Sequence, residues 1–170
     1  MEIRQVPVKN FTKGRSGFKP RAVVLHITEG SSSSALGKVD ERLGWFSDAR
    51  SFASSHYLIT ERGEILQLVS ERDTAWHCGR VVNPRWKGII EGENPNQYTI
   101  GVEVATPNSK FMPPWKQWTA TARLVKWICE RYSFPLDELH VVNHNEIRQN
   151  KSCPGFFIRR FYIIILMKFI

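Results

Sequence analysis

The stretch Arg21-Ala-Val-Val-Leu-His-Ile-Thr28 constrains this chain more than any other. It is a continuous apolar run, rich in β-branched residues, with one histidine near its end. A half-exposed strand alternates apolar and polar residues, whereas an unbroken apolar run must be covered on both faces. Residues 21–28 therefore predict the central strand of a sheet packed between other layers, in an α/β domain. His26 is the polar exception. A buried strand histidine is commonly a hydrogen-bonded core residue, yet catalytic groups also gather at strand ends, where loops converge.

The rest of the chain supplies the other layers. Gly30 and Ser31 to Ser34 read as a turn and N-cap, followed by Leu36, Val39, Leu43 and Phe46 at helical spacing, which predicts an amphipathic helix over 35–48. Residues 55–60 and 64–69, joined by Arg62-Gly63, predict a hairpin. Residues 98–104 return to strand character, and residues 115–132 carry Trp118, Ala122, Val125, Ile128 and Cys129 on one helical face, with Pro135 as the stop. Residues 139–143 form a short last strand. The expected fold is one domain with a mixed central β-sheet flanked by helices, and no internal repeat or linker divides it. The 170 residues, 42% of them hydrophobic, suffice for a substantial core.

Residues 1–20 read as an extended basic arm, residues 21–160 as the domain proper and residues 161–170 as a short apolar tail. The arm lacks the apolar run of a signal peptide, which predicts a chain that is cytoplasmic on synthesis. The run from Phe161 to Met167 is far shorter than the roughly 18 residues that span a bilayer. It suits a closing core element, although Arg159, Arg160 and Lys168 around it also suggest weak affinity for an anionic membrane or wall.

A net charge of +8 predicts attraction to a polyanion without choosing among nucleic acid, membrane and wall polymer. Cys78, Cys129 and Cys153 are an odd number at irregular spacing, which argues against a disulfide framework.

The segment Asn143 to Gly155 places an imidazole (His144), an ammonium (Lys151) and a thiol (Cys153) in one short stretch. Zinc favours nitrogen and sulfur donors, and a catalytic zinc takes three protein ligands. His144 and Cys153 can meet where the loop folds back at Pro154-Gly155, and His26 is the natural third ligand. The alternative is a surface loop with an incidental histidine and a free cysteine. Glu103 puts a carboxylate into an apolar strand, on the face shared with Gly101, where open space is expected beside it. A buried charge needs a partner, so Glu103 is either an arginine's counterion or an acid/base group beside a metal. Trp76 and His77 lie in a loop, where they could line a cleft or staple the loop to the core.

Five ordered blocks, V-V-L-H-I-T at 23–28, S-S-H-Y-L-I at 54–59, D-T-A-W-H-C-G at 73–79, T-I-G-V-E-V at 99–104 and N-H-N-E-I…K-S-C-P-G at 143–155, together resemble the zinc-dependent N-acetylmuramoyl-L-alanine amidases. That family includes phage lysozyme-type amidases and peptidoglycan recognition proteins. The resemblance implies Zn2+ held by His26, His144 and Cys153, with Lys151 stabilising an oxyanion and His77 (beside Trp76) contacting substrate in a groove. It makes Glu103 the general base, because Ser55 stands where some branches carry a catalytic tyrosine. The implied reaction cleaves the amide between N-acetylmuramic acid and L-alanine in bacterial peptidoglycan. A monomeric endolysin acting on the wall after release through a membrane-disrupting partner is expected, with no nucleic-acid partner. A non-catalytic wall binder of the same fold and a cytosolic wall-fragment recycling amidase are the alternatives.

Overall fold

A computed structural model describes residues 1–29, 46, 49–156 and 158–168. Its strands are β1 (Arg4–Gln5), β2 (Phe11–Thr12), β3 (Ala22–Ile27), β4 (Tyr57–Ile59), β5 (Ile65–Gln67), β6 (Thr74–Ala75), β7 (Thr99–Val104) and β8 (Val141–Asn143). Its helices, numbered among the described residues, are α1 (Trp115–Tyr132), α2 (His144–Ile147) and α3 (Arg160–Met167). The main sheet runs β1-β5-β4-β7-β3-β8, and β2 pairs with β6 apart from it.

β3 is an inner strand, buried along its whole length, as its sequence requires. It runs parallel to both neighbours, β7 and β8, while β4 and β5 form the expected antiparallel hairpin. The sheet is therefore mixed. Alternation along β3 divides its side chains between two layers. Val23, Leu25 and Ile27 pack with Leu124, Val125 and Ile128 of α1, whereas Ala22 and Val24 pack with Trp86, Tyr98 and Ile147 on the other side. Each fully buried aliphatic side chain on the α1 face contributes about 1.5–3 kcal/mol of transfer free energy. His26 follows Ala22 and Val24 onto the second face.

The hairpin turn needs glycine. Gly63 has φ +80°, and a Cβ there would stand 2.6 Å from the Lys116 carbonyl oxygen. α1 stops at Ser133, two residues before the expected proline, because Ser133 adopts a left-handed conformation with φ 57° and its N–H closes onto the Cys129 and Glu130 carbonyls.

The arm is built into the domain. β1 lies parallel to β5 at the sheet edge, and β2 pairs with β6. Behind them Arg15 is buried, donating to the carbonyls of Glu71, Gln97 and Thr99. At the other end α3 buries Ile163 and Met167 in the cluster that α1 and β3 share, so this segment closes the core. Of the helix expected over 35–48 only Phe46 is described, helical and buried against Leu58 and Leu66; the remainder lies outside the described residues.

Candidate metal centre

Three elements deliver three donors to one point. β8 runs beside β3 with Asn143 level with Leu25, so His144 emerges next to His26. A capping box fixes the start of α2: the Asn143 side chain accepts the Glu146 N–H, and Glu146 accepts the Asn143 N–H at 2.9 Å. The chain then folds back, and the Asn145 N–H donates to the Cys153 carbonyl at 3.0 Å. That N–H belongs to the first turn of α2, where helical donors need outside partners. Cys153 is carried to the end of β3, with the Ile27 N–H 3.3 Å from its Sγ. Gly155 completes the reversal at φ +78°, where a Cβ would lie 2.5 Å from the Ser109 carbonyl oxygen.

The result is a buried trio. His26, His144 and Cys153 place one ligand atom each within 4.8 Å of one another. Cys153 Sγ lies 3.8 Å from His26 Nδ1. The outer nitrogens are engaged elsewhere: His144 Nε2 is 3.0 Å from the Cys78 carbonyl oxygen, and His26 Nε2 is 3.0 Å from His77 Nδ1. Two imidazoles and a sulfur, with their outer sides occupied, form a donor set that could hold a metal ion.

Burial sets the protonation states. Desolvation holds His26 and His77 well below the ordinary imidazole value, and neighbouring imidazoles push them the same way. Burial brings His144 down to about 4, with the Lys151 ammonium adding to the fall against the Cys78 hydrogen bond. The Cys153 thiol is pushed well up, first by burial and then by the Glu103 carboxylate. The histidines are thus neutral and ready to ligate, while the thiol must lose a proton to an arriving cation.

Glu103 and Lys151 stand beside the trio. Glu103 is the cross-strand partner of His26 on β7, half-buried and on the same face. Lys151, also half-buried, is near enough for its charge to act on both His144 and Cys153. Ser55 is fully buried, and its hydroxyl has no hydrogen-bond partner among the described residues.

The loop residues divide. Trp76 is half-buried, and its indole N–H donates to Thr12 of β2 at 3.0 Å, which is the stapling alternative. His77 is buried under the site, and its ring fills the space expected beside Gly101: a Cβ on Gly101 would stand 2.6 Å from His77 Cγ. The expectation of open space fails because a side chain from a distant loop occupies it. Sequence reasoning missed several residues behind His77. Thr99 Oγ1 lies 3.3 Å from His77 Nε2, and Asn96 Oδ1 accepts both the His77 and Cys78 N–H groups, at 3.1 and 2.8 Å. His56 Nδ1 accepts the Gly101 N–H, and its Nε2 lies 2.8 Å from Arg15 Nη2. Extending the alternation Glu103, Gly101 by two residues would have found Thr99.

Known proteins are similar to this chain. The N-acetylmuramoyl-L-alanine amidase family model matches residues 16–156. N-acetylmuramoyl-L-alanine amidase A of Achromobacter lyticus is 30% identical over 128 residues, which are 74% of this chain and 60% of that protein. The amidase CwlL of Bacillus licheniformis is 26% identical over 155 residues, 87% of this chain and 41% of the relative. The chain thus spans about half the length of the curated relatives it matches. Among solved structures, a selenomethionine derivative of AmpD superposes with TM-score 0.68 at 22% identity, covering 96% of this chain and 94% of that one. The amidase LysC of Clostridium intestinale URNW gives TM-score 0.66 at 17% identity, covering 99% and 98%. At these identities the superpositions speak to fold alone.

Proposed function

The chain belongs to the N-acetylmuramoyl-L-alanine amidase family, and from that premise we propose that it is a zinc hydrolase that cuts the amide between the lactyl group of N-acetylmuramic acid and the L-alanine of the peptidoglycan stem. The observation that carries this reading is the buried trio His26, His144 and Cys153 with Glu103 in register beside His26. The donor set fits zinc, which favours nitrogen and sulfur ligands. When bound, zinc supplies Lewis acidity that polarises a carbonyl and makes water a nucleophile near neutral pH.

The chain's own residues do the rest. Glu103 takes a proton from the attacking water and delivers it to the leaving nitrogen as the C–N bond breaks, freeing a lactyl carboxylate and an L-alanine amino terminus. Lys151 stabilises the negative oxygen of the tetrahedral intermediate, a contribution worth about 3–4 kcal/mol for comparable single donors.

The net charge of +8 favours an anionic wall polymer over a small soluble fragment and supports an endolysin-like role on the wall. Zinc content and release of new amino termini from purified peptidoglycan, measured on wild type, Cys153→Ala and Glu103→Ala, test the proposal. The expected pattern is one zinc per chain with activity in wild type, zinc lost in Cys153→Ala, and zinc kept with activity down about 10²–10⁴-fold in Glu103→Ala. A wild type that holds zinc yet releases nothing from any wall type is a binder. Faster cleavage of soluble fragments than of intact wall favours a recycling amidase.

A further inference from the structure

His26 is held by another imidazole, and an imidazole can accept a hydrogen bond through only one nitrogen, in only one tautomer. The structure contains what is needed to choose that tautomer. Thr99 Oγ1 donates its single proton to the Pro95 carbonyl at 2.7 Å. Toward His77 Nε2, 3.3 Å away, the same oxygen can therefore only accept. His77 must then carry its proton on Nε2 and leave Nδ1 bare. That bare nitrogen faces His26 Nε2 at 3.0 Å. His26 consequently carries its proton on Nε2, and its Nδ1 lone pair turns toward Cys153. The opposite assignment sets the bare His77 Nε2 against an oxygen with no proton left to give, and buried unpaired acceptors of this kind are costly.

The next residue does the same for the second histidine. The Cys78 carbonyl can only accept, so His144 donates from Nε2 and leaves Nδ1 bare. Consecutive residues of one loop thereby orient both histidines, and Asn96 Oδ1 pins that loop through both backbone N–H groups.

We infer that His77 is a positioning residue of the metal centre: the relay Pro95–Thr99–His77 fixes the tautomer of His26, while Cys78 fixes that of His144, so that both histidines present bare Nδ1 atoms to one cation. This rests on the zinc reading above, and it moves His77 from contacting substrate to orienting a ligand. Ligand partners of this type typically change metal affinity by about 10–100-fold when removed.

The first experiment needs neither metal nor variant. Histidine ¹⁵N–¹H correlation spectra of the metal-free wild type should show His77 and His26 both protonated at Nε2; an Nδ1-protonated His77 overturns the relay. Zinc affinity by chelator competition, with Co²⁺ absorption spectra, is then compared for wild type, Thr99→Val, Thr99→Ser and His77→Phe. Thr99→Val and His77→Phe should weaken zinc binding about 10–100-fold with a shifted Co²⁺ spectrum, Thr99→Ser should restore it, and KM at saturating zinc should stay put. Unchanged affinity with a raised KM in His77→Phe makes His77 a substrate contact and sinks the inference. A wild type with the expected tautomers but no zinc affinity defeats the zinc reading instead.

Discussion

The two faces of β3 are made by the same six residues and follow different physical rules. Val23, Leu25 and Ile27 meet α1 in a layer held by area and volume, where no single contact is directional. On the other face Ala22 and Val24 leave room for a loop layer, and His26 ends it in a chain of hydrogen bonds that runs through His77 and Thr99. The α1 face is held by non-directional burial, whereas each bond of the site face has one acceptable geometry. Directional contacts are thereby concentrated on one side of the strand, while Cys153 of the trio packs into the cluster on the α1 side.

Acid should expose this asymmetry most strongly. His26, His56, His77 and His144 all lie on the site face, and burial is the first cause of the lowered pKa of each, to about 3 for His56 and about 4 for His144. Their unfolded value is 6.5, so below it the unfolded chain binds more protons, and stability present above pH 6.5 is lost as pH falls toward 4. Urea midpoints of the metal-free protein should drop steeply between pH 6.5 and 4; a flat profile across that window would break the contrast.

Volume loss on the opposite face comes next. Leu124→Ala should cost about 2–5 kcal/mol in denaturant unfolding, with zinc affinity unchanged in the fraction that remains folded. A parallel loss of zinc affinity would show the two faces to be one unit.

The smallest expected stability change is Gly101→Ala. Its new methyl would meet the His77 ring, costing about 1–3 kcal/mol by overpacking. Yet it should weaken zinc binding where Leu124→Ala does not, because the displaced ring is the one that holds His26. Calorimetry and chelator competition on the same samples separate the two effects.

Much of this was legible in the residues. The apolar run at 21–28 marked β3, periodicity marked α1, and the Gly-containing turn marked the β4–β5 hairpin. His26, His144 and Cys153, which the structure brings together, could be singled out because imidazole and thiol groups are chemically rare types in a strand end and a short loop. The first twenty residues were harder to read: an extended basic stretch says nothing of the buried Arg15, whose value lies in carbonyls contributed by residues 71, 97 and 99. Trp76 and His77 are adjacent in a loop that has no period, so their side chains could not be assigned to different environments beforehand.

Sequence alone determined the layers, the strand at their centre and which side chains to consider as donors, because hydrophobic period and side-chain chemistry are local properties of the chain. Only the tertiary structure decided that the space beside Gly101 is filled by His77, that Trp76 turns to Thr12, and that Thr99 stands behind the ring touching His26. Those are contacts between residues tens of positions apart, and a hydrogen bond a few ångströms long is set by how the layers register, which no single segment encodes.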